Sequence, residues 1–340
     1  MPVERTIAND ANYCERLQTQ APMPSPRAIP LIDLERFVSG SETDRRAVVQ
    51  QLGEAFEGVG FVGVVNHGIP KALIDEFYAA SKAFFKMDEA TKKQYELAGM
   101  NGQRGYTSFG KEHAKQSEVA DLKEFFQLGQ EIPRDHPLYR PGMDDPHVAE
   151  VPTFTEKGRE LFRGFQRAGT NLLRAIALYL GLEEDYFDDE VRYGNSILRA
   201  IYYPPITREP ASAIRAEQHE DINLITLLVG ASAGGLQLYT ADGEWVDVVP
   251  EEDEIVVNVG DMLQRLTNNA LKSTTHRVVN PPRDEWHTDR LSIPFFLHPV
   301  ADMSLDALPD TVTAERPRAY EPITAGAYLD ERLREIGLKK

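Results

Sequence analysis

Between residues 195 and 300, apolar and β-branched residues fall in short runs separated by Gly, Pro, Asn and Asp: "SILRAIYYPP", "INLITLLVG", "GGLQLYT", "EWVDVVP", "EIVVNVG", "STTHRVVN" and "RLSIPFFLHP". Runs of this length and spacing predict the strands of an all-β sandwich or barrel. Asp242-Gly243 predicts a hairpin turn and Gly260 a turn out of a strand, because glycine adopts positive φ without steric cost. Upstream the period changes. "AIPLIDLERF" and "GFVGVVNHGIP" read as strands. Ser41 and Asp44 ahead of Val48, Val49, Leu52 and Phe56 predict a capped amphipathic helix. "PKALIDEFYAASKAFFKMD" predicts another, with Pro70 at its first position. The longest 3.6-residue pattern sets Leu161, Phe162, Phe165, Leu172, Leu173, Ile176 and Leu180 on one stripe, with Gly181 as its C-terminal cap. Residues 96–150 are loop-rich, with a strand near "LKEFFQLG", and predict a covering layer. "AGAYLDERLREIG" predicts a last helix.

The fold class expected is therefore mainly β with flanking helices (α+β). An arm over 1–28 precedes an N-terminal α/β region with covering loops over 29–150 and a long support helix with linker over 151–194. A jelly-roll core over 195–300 and a C-terminal segment with helix over 301–340 complete one integrated catalytic unit. Composition narrows the class of partner. The 340 residues are 41% hydrophobic, enough for a sizeable core. The net charge of −17, with no Lys/Arg-rich block, opposes binding to nucleic acid or an anionic membrane surface and favours a small-molecule substrate. Trp245 and Trp286 form no stacking stripe. The single cysteine, Cys14, makes no internal disulfide, no signal-peptide core precedes it, and no apolar run approaches the ~18 residues that span a bilayer. A cytoplasmic protein is the expectation; nothing in the pattern specifies an oligomeric state.

Chemistry enters at "QHEDINLITLLVG". His219 and Asp221 are two apart, so in an extended strand both side chains point to one face. His276, opening the strand "HRVV", is able to join them across a strand spacing of about 4.8 Å. Two imidazoles and one carboxylate make the facial triad of non-haem Fe(II) sites, although Zn²⁺ accepts the same ligands. In "DRLSIPFF", Arg290 and Ser292 again share one face of an apolar strand. A buried guanidinium requires an anion, either a bound carboxylate gripped by its fork or an acidic residue of the chain.

Together these motifs resemble the His-x-Asp, His and Arg-x-Ser signature of the Fe(II)- and 2-oxoglutarate-dependent oxygenases of the isopenicillin N synthase-like superfamily. "IPLIDL", "GFVGVVNHGIP", "YYPP", "GGLQL", "NVGDML", "LTNNALKSTTHRVVNP" and "SIPFFLHP" are similar to stretches in the same order in that family, over about residues 29–300. The resemblance implies a double-stranded β-helix, the distorted jelly roll, packed on the long helix. It implies that His219, Asp221 and His276 bind Fe(II), that Arg290 and Ser292 hold the distal carboxylate of 2-oxoglutarate, and that Tyr203 helps. The reaction implied uses O₂, decarboxylates the keto acid to succinate and CO₂, and hydroxylates, desaturates or cyclises a small molecule. Arg104 and Tyr106, in "GQRGYTSFG", fall where family members place substrate-contacting loops, while an arginine in so acidic a chain also readily meets a surface carboxylate. His67 and His298, beside prolines at strand ends, read as turn or packing residues.

Four other readings share parts of this pattern. Isopenicillin N synthases have "HED" and Arg-x-Ser yet use O₂ without 2-oxoglutarate; here "LDERLREIGLKK" lacks the glutamine they place near the C-terminus, and the interval from His276 to Arg290 is longer. Ethylene-forming relatives also carry Arg-x-Ser. A Zn²⁺ hydrolase would need a general base, and strand alternation points Glu220 away from His219 and Asp221. A non-catalytic jelly roll would not need both the triad and a buried Arg-x-Ser.

Overall fold

The computed structural model describes residues 29–339 apart from 101, 113–120, 211–212, 231 and 337, so the expected 1–28 arm lies outside the described residues. Two sheets face each other. The larger runs, in spatial order, β1 (Leu31–Asp33), β2 (Phe61–Val65), β10 (Ile255–Val259), β7 (Ile225–Val229), β12 (Arg290–Leu297), β5 (Ile197–Tyr203), β4 (Glu124–Gly129) and β3 (Gly105–Thr107). The smaller runs β6 (Ala216–His219), β11 (His276–Val278), β8 (Leu236–Tyr239) and β9 (Trp245–Asp247). Among the described residues only the β1–β2 pairing is parallel; the other strand pairs are antiparallel. The helices are α1 (Leu34–Val38), α2 (Glu42–Gly58), α3 (Lys71–Phe85), α4 (Glu89–Lys93), α5 (Pro152–Tyr179), α6 (Asp188–Arg192), α7 (Asp261–Leu266) and α8 (Ala325–Glu335).

The two-residue period of the larger sheet separates core from site. On β12, Leu291, Ile293, Phe295 and Leu297 join the core shared with the helices, whereas Arg290, Ser292, Pro294 and Phe296 face a cavity between the sheets. On β5, Leu198, Ala200 and Tyr202 face the helices, and Ile197, Arg199, Ile201 and Tyr203 face the cavity. Because side chains alternate along a strand, one face can be closed by α5 while the other remains available for chemistry. The α5 stripe expected from periodicity is buried here: the Phe165 ring stacks on Phe295 with centroids 5.5 Å apart, and Phe162 meets the same ring edge-on at 4.9 Å. Gly158 allows the closest approach, since a Cβ there would lie 2.1 Å from Leu128 Cδ1.

Local details depart from pattern in three places. Ser41 and Asp44 form the expected reciprocal cap of α2, but Pro70 occupies the N-cap of α3 rather than its first turn. The "LERF" of the first strand run turns into α1 directly after Asp33, whose side chain accepts from Glu35 N. Residues 96–150 do more than cover: β4 pairs with β5 from Glu124 to Gly129, burying every one of its residues, and carries β3 as the sheet edge. None of the helices among the described residues is long and apolar enough to cross a membrane.

Candidate active site

The cavity between the sheets has a volume of about 470 Å³. At one end, His219 closes β6 and His276 opens β11, and the two residues are direct partners across that antiparallel pair. Their rings lie 4.4 Å apart between centroids. Asp221, two residues past the strand end, brings Oδ1 to 4.0 Å from His219 Nε2 and Oδ2 to 3.9 Å from His276 Nε2. One ligand atom from each residue lies within 4.8 Å of the other two.

The surroundings orient all three. His219 Nδ1 is 2.7 Å from the Glu217 carbonyl and His276 Nδ1 is 3.1 Å from that of Thr274, so each ring donates from Nδ1 and turns the Nε2 lone pair inward. Thr226 Oγ1 (2.6 Å) and Asn258 Nδ2 (2.8 Å) both donate to Asp221 Oδ2. Burial opposes ionisation of Asp221, but the two imidazoles and these two donors outweigh it and hold the carboxyl below its ordinary range. Burial, followed by the neighbouring His276, holds the His219 imidazole down at about 4 and therefore neutral. A neutral imidazole at His219 and an ionised carboxylate at Asp221 are protonation states that suit metal ligation. The donor set fits a divalent transition-metal ion with positions left open on the cavity side.

Farther along the cavity, Tyr203 and Arg290 are register partners on β5 and β12. The guanidinium lies 5.0 Å from the centre of the Tyr203 ring, with Ser292 on the same face of β12. Arg290 is 1% exposed; Nε donates to the carbonyls of Ala233 (3.1 Å) and Gly234 (3.2 Å), while Nη1 is buried without a partner. No acidic side chain among the described residues forms an ion pair with it. A buried guanidinium with an N–H left free calls for an anion.

Arg104 and Tyr106 are not brought to the cavity. Arg104 is buried beside Asp145, with Nε 3.7 Å from Oδ1, and Tyr106 donates to Glu124, which also pairs with Lys92. The polar cavity wall comes instead from Glu112, Asp121, Lys123 and Arg199. Lys123 Nζ lies 2.7 Å from Glu112 and 2.8 Å from Asp121, and Arg199 Nη1 lies 3.2 Å from Glu112. Burial works against the Glu112 charge, yet Arg199 and Lys123 prevail and hold its carboxyl at about 2. His298 lines the cavity with Nδ1 unpartnered rather than only packing a turn, and Leu329, Leu333 and Ile336 from the α8 end close one side.

Sequence reasoning passed over Thr226, Asn258 and this ion network. Asn258 had a readable signal, being the single polar residue of the apolar run "IVVNV"; Thr226, a β-branched residue in a strand, had none. Glu220, one residue past the end of β6, accepts from Thr275 Oγ1 at 3.0 Å but still lines the cavity, so strand alternation does not remove it from the site.

This fold and site define a class, and the chain belongs to it: the 2OG-Fe(II) oxygenase superfamily. The profile described as 2OG-Fe(II) oxygenase superfamily matches residues 194–299, and that described as non-haem dioxygenase in morphine synthesis N-terminal matches 29–150. A 2OG-Fe(II) oxygenase family protein from Caulobacter crescentus is 42% identical and superposes with a TM-score of 0.81, covering 91% of this chain and 99% of that one. A full-length Neurospora crassa protein, solved in complex with alpha-KG and thymine, is 32% identical with a TM-score of 0.79, covering 90% and 96%. The 2-oxoglutarate-Fe(II) type oxidoreductase ppzC of Metarhizium rileyi is 32% identical over 326 residues, 87% of this chain and 81% of its own. The protein is thus an Fe(II)- and 2-oxoglutarate-dependent dioxygenase with a double-stranded β-helix core.

Proposed function

We propose that His219, Asp221 and His276 hold Fe(II), that Arg290, Ser292 and Tyr203 hold the distal carboxylate of 2-oxoglutarate, and that a small molecule is oxidised at a C–H bond beside them. With O₂, the bound iron and 2-oxoglutarate supply oxidative decarboxylation to succinate and CO₂, coupled to that oxidation. The remaining tasks belong to the chain. Thr226 and Asn258 fix which Asp221 oxygen faces the metal. Arg290 and Ser292 set the reach of the co-substrate from a rigid strand, and Tyr203 walls it in. Phe61, Ile201, Val256 and the α8 leucines exclude water from the cavity.

The observation that carries this reading is one cavity holding both the converged His-Asp-His triad and an arginine with a buried, unpartnered nitrogen. The polar wall around Lys123 and Arg199 favours a primary substrate with hydrogen-bonding groups at one end, and the net charge of −17 favours a small molecule over nucleic acid. The N-terminal region, the β core and the C-terminal segment over 301–340, whose α8 leucines line the cavity, act as one catalytic unit, in the cytoplasm, a location supported by the composition and the lone cysteine. The test is an anaerobic titration with Fe(II) followed by 2-oxoglutarate, read by the visible charge-transfer band of the chelated keto acid. A saturable band in the parent, absent from Arg290→Ala despite retained Fe(II) binding, is the expected result. Equal bands in both proteins would refute the anchor assignment.

A further inference from the structure

A second buried arginine stands behind the anchor. Arg215, in the bend leading into β6, is 1% exposed, and its guanidinium lies 6.0 Å from the centre of the same Tyr203 ring that Arg290 overlies at 5.0 Å. Its Nη2 donates to the Thr288 carbonyl at 3.3 Å, two residues before Arg290, and its Nε is buried without a partner. The acids nearest in effect are Asp289 and Glu285, and neither forms an ion pair with it among the described residues. Asp289 is engaged elsewhere, by Lys82 Nζ at 3.1 Å and the Tyr202 hydroxyl at 3.2 Å. Burial, and next the charge of Arg290, push the Arg215 guanidinium down to about 10.

Two buried guanidinia on one aromatic ring, neither ion-paired to an acid of the chain among the described residues, are costly to fold. A core position would be served as well by an apolar stem, so the charge itself calls for a reason. We propose that Arg215 is a positioning residue of the co-substrate anchor, supplying a second positive charge that favours a keto acid bearing a distal carboxylate. This inference rests on the proposed role of Arg290 and Ser292. Arg215 is not among the cavity-lining residues; it acts through Tyr203 and Arg290, raising the positive potential where the carboxylate docks and restraining Arg290 against the β12 side of the cavity.

The test uses the full chain loaded anaerobically with Mn(II), titrated calorimetrically with 2-oxoglutarate and with 2-oxovalerate, which has the same carbon count but no distal carboxylate. Arg215→Met keeps the apolar stem and removes the charge; Arg215→Lys keeps the charge. The expected result is a roughly tenfold or greater loss of 2-oxoglutarate affinity in Arg215→Met, the scale of one partly screened charge. Affinity for 2-oxovalerate should be unchanged, and Arg215→Lys should retain most of the parent's preference. The metal-free Arg215→Met protein should also melt at or above the parent temperature, because an uncompensated charge has been removed.

Equal weakening toward both keto acids, parental affinity for 2-oxoglutarate, or an Arg215→Met protein that melts well below the parent or fails to fold would each overturn the role. The outcome for the anchor itself is separable. A parent that discriminates neither keto acid, or an Arg290→Ala protein that still prefers 2-oxoglutarate, would remove the anchor reading and this inference with it.

Discussion

Replacing Thr226 by valine removes a hydrogen bond to Asp221 behind the metal site. Thr226 Oγ1 donates to Asp221 Oδ2 at 2.6 Å, and among the described residues the other side-chain donor to that oxygen is Asn258 Nδ2 at 2.8 Å. Valine keeps the branched shape that suits β7 and removes only the hydroxyl; Asn223 Nδ2 loses one acceptor at 2.9 Å but keeps the Ile225 carbonyl at 3.0 Å. A bond to an ionised partner contributes about 1.5–3 kcal/mol. That range matches the roughly 10–100-fold loss of metal affinity usual when a partner of a metal ligand is removed. Thr226→Val should therefore fold as the parent does yet bind Fe(II) roughly 10–100-fold more weakly. Equilibrium competition against a chelator under anaerobic conditions reads the affinity, and circular dichroism checks the fold. Adding Asn258→Ala should cost more than the two single changes summed, because Oδ2 then has no side-chain donor. A folded Thr226→Val protein with parental Fe(II) affinity would refute the assignment of Asp221 as an oriented ligand.

Other perturbations test other parts. Phe165→Ala, at a fully buried ring stacked on Phe295, should lower unfolding free energy by about 3–5 kcal/mol in denaturant titration while leaving Fe(II) affinity intact. Lys123→Met leaves Glu112 and Asp121 buried without their shared ammonium, and should cost about 3–5 kcal/mol, measured the same way. Asp145 supplies a pH dependence: burial raises its carboxyl from 3.8 to about 6 against the opposing pull of Arg104. The folded state holds this proton more tightly, so the group favours the fold below about pH 4, and that contribution is lost as pH rises through about 6. The stability of the parent relative to Asp145→Asn should accordingly fall between about pH 4 and about pH 7.5 by about 1–3 kcal/mol, followed by melting at each pH; a constant difference would refute it.

Hydrophobic patterning alone determined most of the architecture. The runs between 195 and 300 became strands because period-two burial of β-branched residues leaves few alternatives, and the α5 stripe demanded a sheet or another helix to cover it. The converged His219, Asp221 and His276 cluster was legible too, since an i, i+2 pair at a strand end points to one face whatever the strand packs against. Its use was less so: "HED" and Arg-x-Ser alone also fit an oxidase without 2-oxoglutarate, and only the C-terminus without a glutamine and the longer interval from His276 to Arg290 stood against it. Tertiary structure decided the rest. Arg104 and Tyr106 belong to a stretch whose place in the chain and chemistry suit a substrate loop, but β3 and β4 joined the large sheet and carried them into packed interior beside Asp145 and Glu124. Lys123 and Arg199 were anonymous charges in the chain until sheet pairing placed them on the cavity wall with Glu112. Thr226 and Asn258 act on a partner 5 and 37 residues away, and Arg215 reaches Arg290 across a shared ring. Local patterning records which face a residue takes, whereas the identity of its neighbour across that face exists only once distant strands have met.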